Sequence, residues 1–429
     1  YICWMQMQDH PSLTILNILL RKGYISVISG EPGTGKTFLC LKAAIKAAEQ
    51  GDEVVYYAFN ESSSCLKHRL EEVFHFKGNI TIKEGLSLAR EGTAILLEDV
   101  INEATQGKMV IVDSLEALMS DVKARQEYRA VLQSLYHAAR TSGGRLILIS
   151  EYPDPYSLAG YAADAYITLY MEIFMGHPYR YAHIKKARDI LLEYPFIPFS
   201  LFNGFTELFP QEVEGTISFD YTRVLRPGGR YILEIDDSVP YSFVNLQRRF
   251  AAAIFLRQGH GVAYFASPEE TKKDVIRDVK ELVRDASLMK NLMIISRKGD
   301  VPEKVDWKHF FQQRNQMMED IKKATGKPPI SLFTMWFNNL IYHELGDFYP
   351  ELILNVVKKD KEDGTIAIGY TVKGLPVNEI ERQIADEFFL VRRRHGRILI
   401  ARTKEIPKVA AYILYREEGR PKIKVIPIL

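Results

Sequence analysis

The stretch Gly30-Glu31-Pro32-Gly33-Thr34-Gly35-Lys36-Thr37 constrains this chain more than any other. It fits G-x-x-x-x-G-K-[ST] and stands between an apolar, β-prone run, Tyr24–Ser29, and a helical pattern reading FLCLKAAIKAAEQ. Strand, glycine loop and helix in that order form a cradle for phosphate. Glycines at 30, 33 and 35 let the loop curl until backbone N–H groups point at phosphate oxygens, and the helix adds its positive N-terminus. Lys36 is expected to reach the β- and γ-phosphates of a nucleotide. Thr37 is expected to place its hydroxyl on a Mg2+ ion that bridges them. The expected nucleotide contacts are Gly30, Glu31, Pro32, Gly33, Thr34, Gly35, Lys36, Thr37 and Phe38.

Composition narrows the partners. A chain of 429 residues is long for one core and suits two. Lys and Arg total 56 against 54 Asp and Glu, so no overall field calls for nucleic acid or an anionic membrane. Cys3, Cys40 and Cys65 form no C-x-x-C pair and no disulfide framework. No apolar run approaches the roughly 20 residues of a membrane span, and no secretory signal is read, so the chain is expected in the cytoplasm.

Further strands follow the loop. Glu53–Phe59 (EVVYYAF) reads as a buried strand that delivers Asn60-Glu61 at its C-terminal end, the edge where α/β sheets bind ligands. Lys108–Asp113 (KMVIVD) ends in an acid followed by Ser114, the usual form of a Walker B element. Asp113 is expected to orient the Mg2+ through its water shell, a role compatible with capping the next helix. Arg145–Ser150 (RLILIS) ends at Ser150-Glu151. Strands alternating with helical segments imply an α/β fold, a parallel sheet with helices on both faces.

The pattern then repeats. Tyr24–Ala58 lines up with Tyr231–Ala266 with a single-residue slip, and Ala163-Asp164-Ala165 is echoed by Ala385-Asp386-Glu387. Two domains are expected, 1–210 and 211–429, with the boundary near Phe209–Gly215. In the second copy the loop reads Asp236-Asp237-Ser238-Val239-Pro240, without glycine or lysine, and carboxylates repel phosphate. The strand near Ile330–Phe337 also lacks an acid at its end. That copy is expected to be structural or regulatory and to bind no nucleotide.

Through GEPGTGKT, VVYYAFNESSSCL, KMVIVDSLEAL, LILISE, AADAYITL and HIKKARDILLEYPFIPF, about residues 24–205, the first half resembles the KaiC-like branch of the RecA superfamily. That group includes the circadian-clock, archaellum and gas-vesicle regulatory ATPases of archaea and bacteria. The second half is similar in layout only. The resemblance implies two RecA-like P-loop NTPase domains, the second lacking the P-loop, with ATP and Mg2+ as cofactors. It also implies a homo-oligomer, a ring, filament or dimer, in which a neighbour completes the ATPase site.

Three residue readings come with the resemblance. The family's second strand ends in two glutamates, the first acting as base, where this chain has Asn60-Glu61; Glu61 is the candidate base, or else an exposed loop acid. The family's K-x-R element matches Lys186-Ala187-Arg188, expected to touch the γ-phosphate of the adjacent subunit, or else to form a solvated strand edge. Glu151 matches a γ-phosphate sensor, or else a strand-end acid facing solvent. The basic run Arg392–Arg397 reads as a solvated β-hairpin turning at His395-Gly396, with a nucleic-acid or partner-protein site as the alternative. Nucleic acid is an unlikely partner on this reading, and a regulatory protein a candidate one.

Overall fold

In the computed structural model, residues 14–428 are described except 86–92, 121, 123, 153–157, 191, 193, 209–216, 219–224, 297–305, 404–407 and 418–419. The chain divides into two compact units, one running to Gly215 and the other from Thr216 to Pro427. The stretch 209–216, where the sequence places the boundary, lies outside the described residues.

The first unit is a nine-stranded sheet. Its strands are β1 (Ile25–Gly30), β2 (Val54–Ala58), β3 (Thr81–Glu84), β4 (Met109–Asp113), β5 (Arg145–Ser150), β6 (Ala165–Phe174), β7 (His177–Ala187), β8 (Phe196–Ser200) and β9 (Thr206–Glu207), in the order β3-β2-β4-β5-β1-β6-β7-β8-β9. From β3 to β6 every pairing is parallel; from β6 to β9 every pairing is antiparallel. Helices cover both faces. Along each central strand the side chains alternate between two apolar clusters, Ile28, Tyr56, Ile111 and Ile147 on one face and Val27, Val55, Val110 and Leu146 on the other. This two-sided burial is why these strands read as unbroken apolar runs.

The second unit repeats the plan. Its strands are β10 (Ile217–Ser218), β11 (Arg230–Ile235), β12 (Val262–Phe265), β13 (Leu292–Ile295), β14 (Ile330–Thr334), β15 (Ile366–Val372), β16 (Glu387–Arg394), β17 (Arg397–Arg402), β18 (Lys408–Glu417) and β19 (Arg420–Pro427). The order β13-β12-β14-β15-β11-β16-β17-β18-β19 matches the first unit strand for strand, with β10 added beyond β19. Parallel pairing again runs up to the strand after the central one, and antiparallel pairing beyond it. The fold is α/β, with two RecA-like sheets.

The sequence echo at Asp164 and Asp386 has a structural cause. The Asp164 carboxylate accepts the Ile25 N–H at 3.1 Å and its own N–H donates to the Ile25 carbonyl. Asp386 makes the same pair of bonds with Arg230, its carboxylate accepting at 2.8 Å. Each aspartate thus fixes the start of β6 or β16 beside the start of its central strand.

Candidate functional site

The site is built at the C-terminal edge of the first sheet. β1 runs straight into the loop, and Gly30 must be a glycine because a Cβ there would meet the Leu169 carbonyl oxygen at 2.6 Å. Gly33 holds φ at +80°, a conformation that costs glycine little. The helix Lys36–Glu49 starts at Gly35, which offers no side-chain cap, so its positive end stays open toward the loop. Lys36 folds back over the loop and donates to the Gly30 and Glu31 carbonyls at 2.6 and 3.0 Å. Burial pulls its pKa down, opposed by the carboxylates of Asp113, Glu151 and Glu116.

Asp113, the last residue of β4, comes to this loop from 76 positions away: Thr37 donates its hydroxyl to the Asp113 carboxylate at 3.0 Å. The same oxygen accepts the Tyr56 hydroxyl at 2.7 Å. Burial raises the Asp113 pKa, and these two hydroxyls pull against it. Capping falls to the neighbour: Ser114 caps the short helix Leu115–Leu118 through the Ala117 N–H, leaving the Asp113 carboxylate to the loop. A hydroxyl and one carboxylate are hard oxygen donors of the kind Mg2+ takes beside water and nucleotide phosphates. Among the described residues no group of three or more His, Cys, Asp or Glu side chains could hold a metal.

A family model described as "ATPase: KaiC" matches residues 15–213. Residues 15–213 form a KaiC-type ATPase domain. The chain is also similar to the DNA repair protein RadA of Mycobacterium tuberculosis, 28% identical over 143 residues, 32% of this chain and 29% of that one. RadA of Campylobacter jejuni is 31% identical over 104 residues, 24% of this chain and 21% of that protein. Protein GvpD2 of Halobacterium salinarum is 25% identical over 218 residues, 46% and 44% of the two chains. The chain thus spans less than half the length of these relatives.

Around the KaiC-type loop the other sequence candidates fall into two groups. Glu151 is brought in: its carboxylate accepts from Asn60 Nδ2 at 2.8 Å and from the Ser114 hydroxyl at 2.9 Å. Glu61 stands close enough to raise the Asp113 pKa, but it is held by Arg69 at 2.8 Å, whose guanidinium lies over the Phe38 ring at 5.2 Å. Phe38 itself packs on Phe74.

Lys186 and Arg188 are not brought in. Lys186 is in register with Tyr166, and Tyr166 with Val27; Arg188 pairs with Asp164 at 2.9 Å, beside the start of β1. The loop leaves the other end of that strand, five residues on, about 17 Å at strand rise. Lys186 donates to the Tyr161 carbonyl at 2.7 Å.

Three residues escaped the sequence reading. Tyr56 steadies Asp113 from inside β2, where it reads as one more core aromatic. Glu116 accepts the Ser150 hydroxyl at 2.5 Å and the Glu151 N–H at 3.1 Å, fixing the end of β5. Arg180, on β7, donates to the Gly33 carbonyl at 3.3 Å, and burial lowers its pKa. Its only sequence signal is a cation set between two tyrosines, Tyr179 and Tyr181.

The second unit corrects one expectation. Arg392 opens a hairpin that does turn at His395-Gly396, but it is not a solvated cation. It is 12% exposed, donates to the Glu234 carbonyl at 2.8 Å and to the Glu234 carboxylate at 2.6 Å, and pairs with Asp236 at 3.0 Å. A carboxylate buried at the end of β11 has to be neutralised, and the adjacent strand supplies the charge. Arg393 and Arg394 are the exposed residues of the run.

Proposed function

We propose that the first unit binds Mg-ATP and hydrolyses it, and that the second unit, dividing from it near residue 210, is structural or regulatory. The observation that carries this is the Thr37–Asp113 hydrogen bond beside Lys36, which gathers the phosphate-binding and metal-orienting parts from separate strands. Lys36 and the loop N–H groups would hold the β- and γ-phosphates, Thr37 would ligate Mg2+ and Asp113 would order its water. The ion, when bound, neutralises charge developing on the transferred phosphoryl group. Glu61 would orient the attacking water once Arg69 releases it. Lys186 and Arg188, remote from their own loop, would serve the loop of a second copy, so the working form is a homo-oligomer in the cytoplasm.

A second reading has its own support. The Glu61–Arg69 pair and the Asn60–Glu151 bond hold both candidate carboxylates in contacts of their own, which favours a switch that binds ATP and hardly cleaves it. RadA is a DNA repair protein by name, but the balanced overall charge of this chain does not favour DNA as its partner.

Steady-state turnover with Mg2+ across protein concentrations separates the readings. Lys36→Ala sets the floor. Specific activity that rises with concentration and falls in Glu61→Gln and Arg188→Ala supports the trans-completed ATPase. Tight ATP binding with wild-type turnover at the floor refutes it in favour of the switch.

A further inference from the structure

Glu61 has a counterpart in the second unit. It is the residue before Ser62, which caps the helix Ser63–Glu72 through the Cys65 N–H. Glu270 is the residue before Thr271, which caps the helix Lys272–Val283 through the Asp274 N–H. The strands they follow, β2 and β12, stand at the same place in the two sheet orders. Each glutamate is held by arginine, but on different terms. Glu270 is 1% exposed, pairs with Arg248 at 3.0 Å and Arg249 at 2.9 Å, and accepts the Tyr264 and Ser267 hydroxyls, each at 2.8 Å. Opening a pair buried to that degree strands a charge away from water, so Glu270 is fixed. Glu61 is 36% exposed and its partner Arg69 24%, so water can take over at either end and the pair can open.

Helix geometry does not make the Glu61–Arg69 pair by itself. Neighbours on a helix face are three or four residues apart, whereas these stand eight apart, Glu61 before the cap and Arg69 near the last turn. Both side chains have to lie along the helix to meet. They meet as a fork: Arg69 Nη1 donates to Glu61 Oε2 at 2.8 Å and Nη2 donates to Oε1 at 3.4 Å. Both carboxylate oxygens are thus turned to the guanidinium, while a base serves only when an oxygen comes within hydrogen-bond reach of the attacking water. The guanidinium also lies over the Phe38 ring, one residue past Thr37, which anchors the fork beside the phosphate loop. Glu61 and Asp113 already repel each other, and bound phosphates would add charge of the same sign, which keeps Glu61 on Arg69.

We propose that Arg69 is a releasable brake on the first unit, holding Glu61 in reserve after Mg-ATP has bound, so that turnover follows the fraction of molecules in which the fork is open. The inference rests on the reading of Glu61 as the base. Arg69 touches no reacting atom and acts as a positioning residue.

Steady-state turnover of the full chain at saturating Mg-ATP, in Arg69→Ala, Glu61→Gln and the double variant, tests it, with Lys36→Ala as the floor. Removing a half-exposed fork is expected to raise kcat roughly two- to fivefold in Arg69→Ala. Arg69→Lys, which keeps the charge but not the fork, is expected to fall between it and wild type. The gain has to depend on Glu61: the double variant is expected to turn over no faster than Glu61→Gln alone. A purely structural role for Arg69 would instead change KM, and its effect would persist without Glu61. If wild type sits at the floor, Arg69→Ala is expected to rise above it. A kcat in Arg69→Ala no higher than that of wild type overturns the brake, and a fall in Glu61→Gln then still upholds the base. A gain that survives in the double variant overturns the brake as well. Wild-type turnover above the floor that Glu61→Gln leaves unchanged overturns base and brake together.

Discussion

The two units share one strand order and differ at one edge. In the first, a glycine loop leaves β1, a lysine folds over the loop carbonyls, and a threonine meets the aspartate at the tip of β4. In the second, the residue at the tip of the matching strand is Thr334, and Asp236 stands in the loop. Arg392 reaches across from β16 and neutralises both Glu234 and Asp236. The first edge keeps its cation on main-chain oxygens that a phosphate can replace. The second has bound its cation to carboxylates of its own chain. A sheet of this topology therefore accommodates a loop without glycine or lysine at this edge, with the charges there paired internally.

Exchange of the two cations' roles is the sharpest way to break this comparison. Arg392→Ala leaves Glu234 buried without its main counter-charge, a change that costs about 3–5 kcal/mol. The second unit should unfold at clearly lower urea, with Mg-ATP affinity unchanged in a fluorescence titration. A matching loss of ATP binding would mean that the second loop is a nucleotide site after all. Lys36→Ala should do the reverse. It removes charge-assisted bonds worth about 1.5–3 kcal/mol, so Mg-ATP should bind roughly ten- to hundredfold more weakly with little change in either unfolding transition.

A pH scan distinguishes the units further. Glu207, on β9, is half-buried, with one carboxylate oxygen enclosed and without a partner among the described residues, and burial pushes its pKa up to about 8. A raised carboxyl pKa means that the folded state holds the proton more tightly. The associated stability is fully present below the unfolded value near 4.5 and is lost as pH rises to about 8. The loss is about 1.4 kcal/mol for each pH unit within that window. Glu207→Gln should flatten this slope in the transition that Mg-ATP shifts; a slope that persists would place the titrating group elsewhere. The smallest effect expected is that of Arg180→Ala, which removes one bond to the Gly33 carbonyl, about 0.5–1.5 kcal/mol. It should weaken Mg-ATP binding several-fold, and unaltered affinity would show that Arg180 only braces the empty loop.

Much of this was legible in one dimension, because a short-range rule stood behind it. Strand, glycine loop and helix are contiguous, so residues 25–49 carry their own geometry. The duplicate betrayed itself because the Asp164 and Asp386 clasps each need an acid at a fixed place before a strand. The composite parts stayed hidden. Tyr56, Glu116 and Arg180 meet Asp113, Ser150 and Gly33 across 57, 34 and 147 positions, and each looks like an ordinary core or edge residue in its own segment.

By itself, then, the sequence determined that the first unit holds a phosphate loop and that the matching stretch Asp236–Pro240 of the second has neither glycine nor lysine, since backbone N–H groups and glycine conformations are local properties. Tertiary structure decided which carboxylates stay available. It gave capping to Ser114 and left the Asp113 carboxylate to Thr37, tied Glu61 to Arg69, placed Lys186 and Arg188 at the far end of β1, and turned Arg392 inward. Electrostatic pairing depends on distance through space and on exclusion of water, and neither is fixed by separation along the chain.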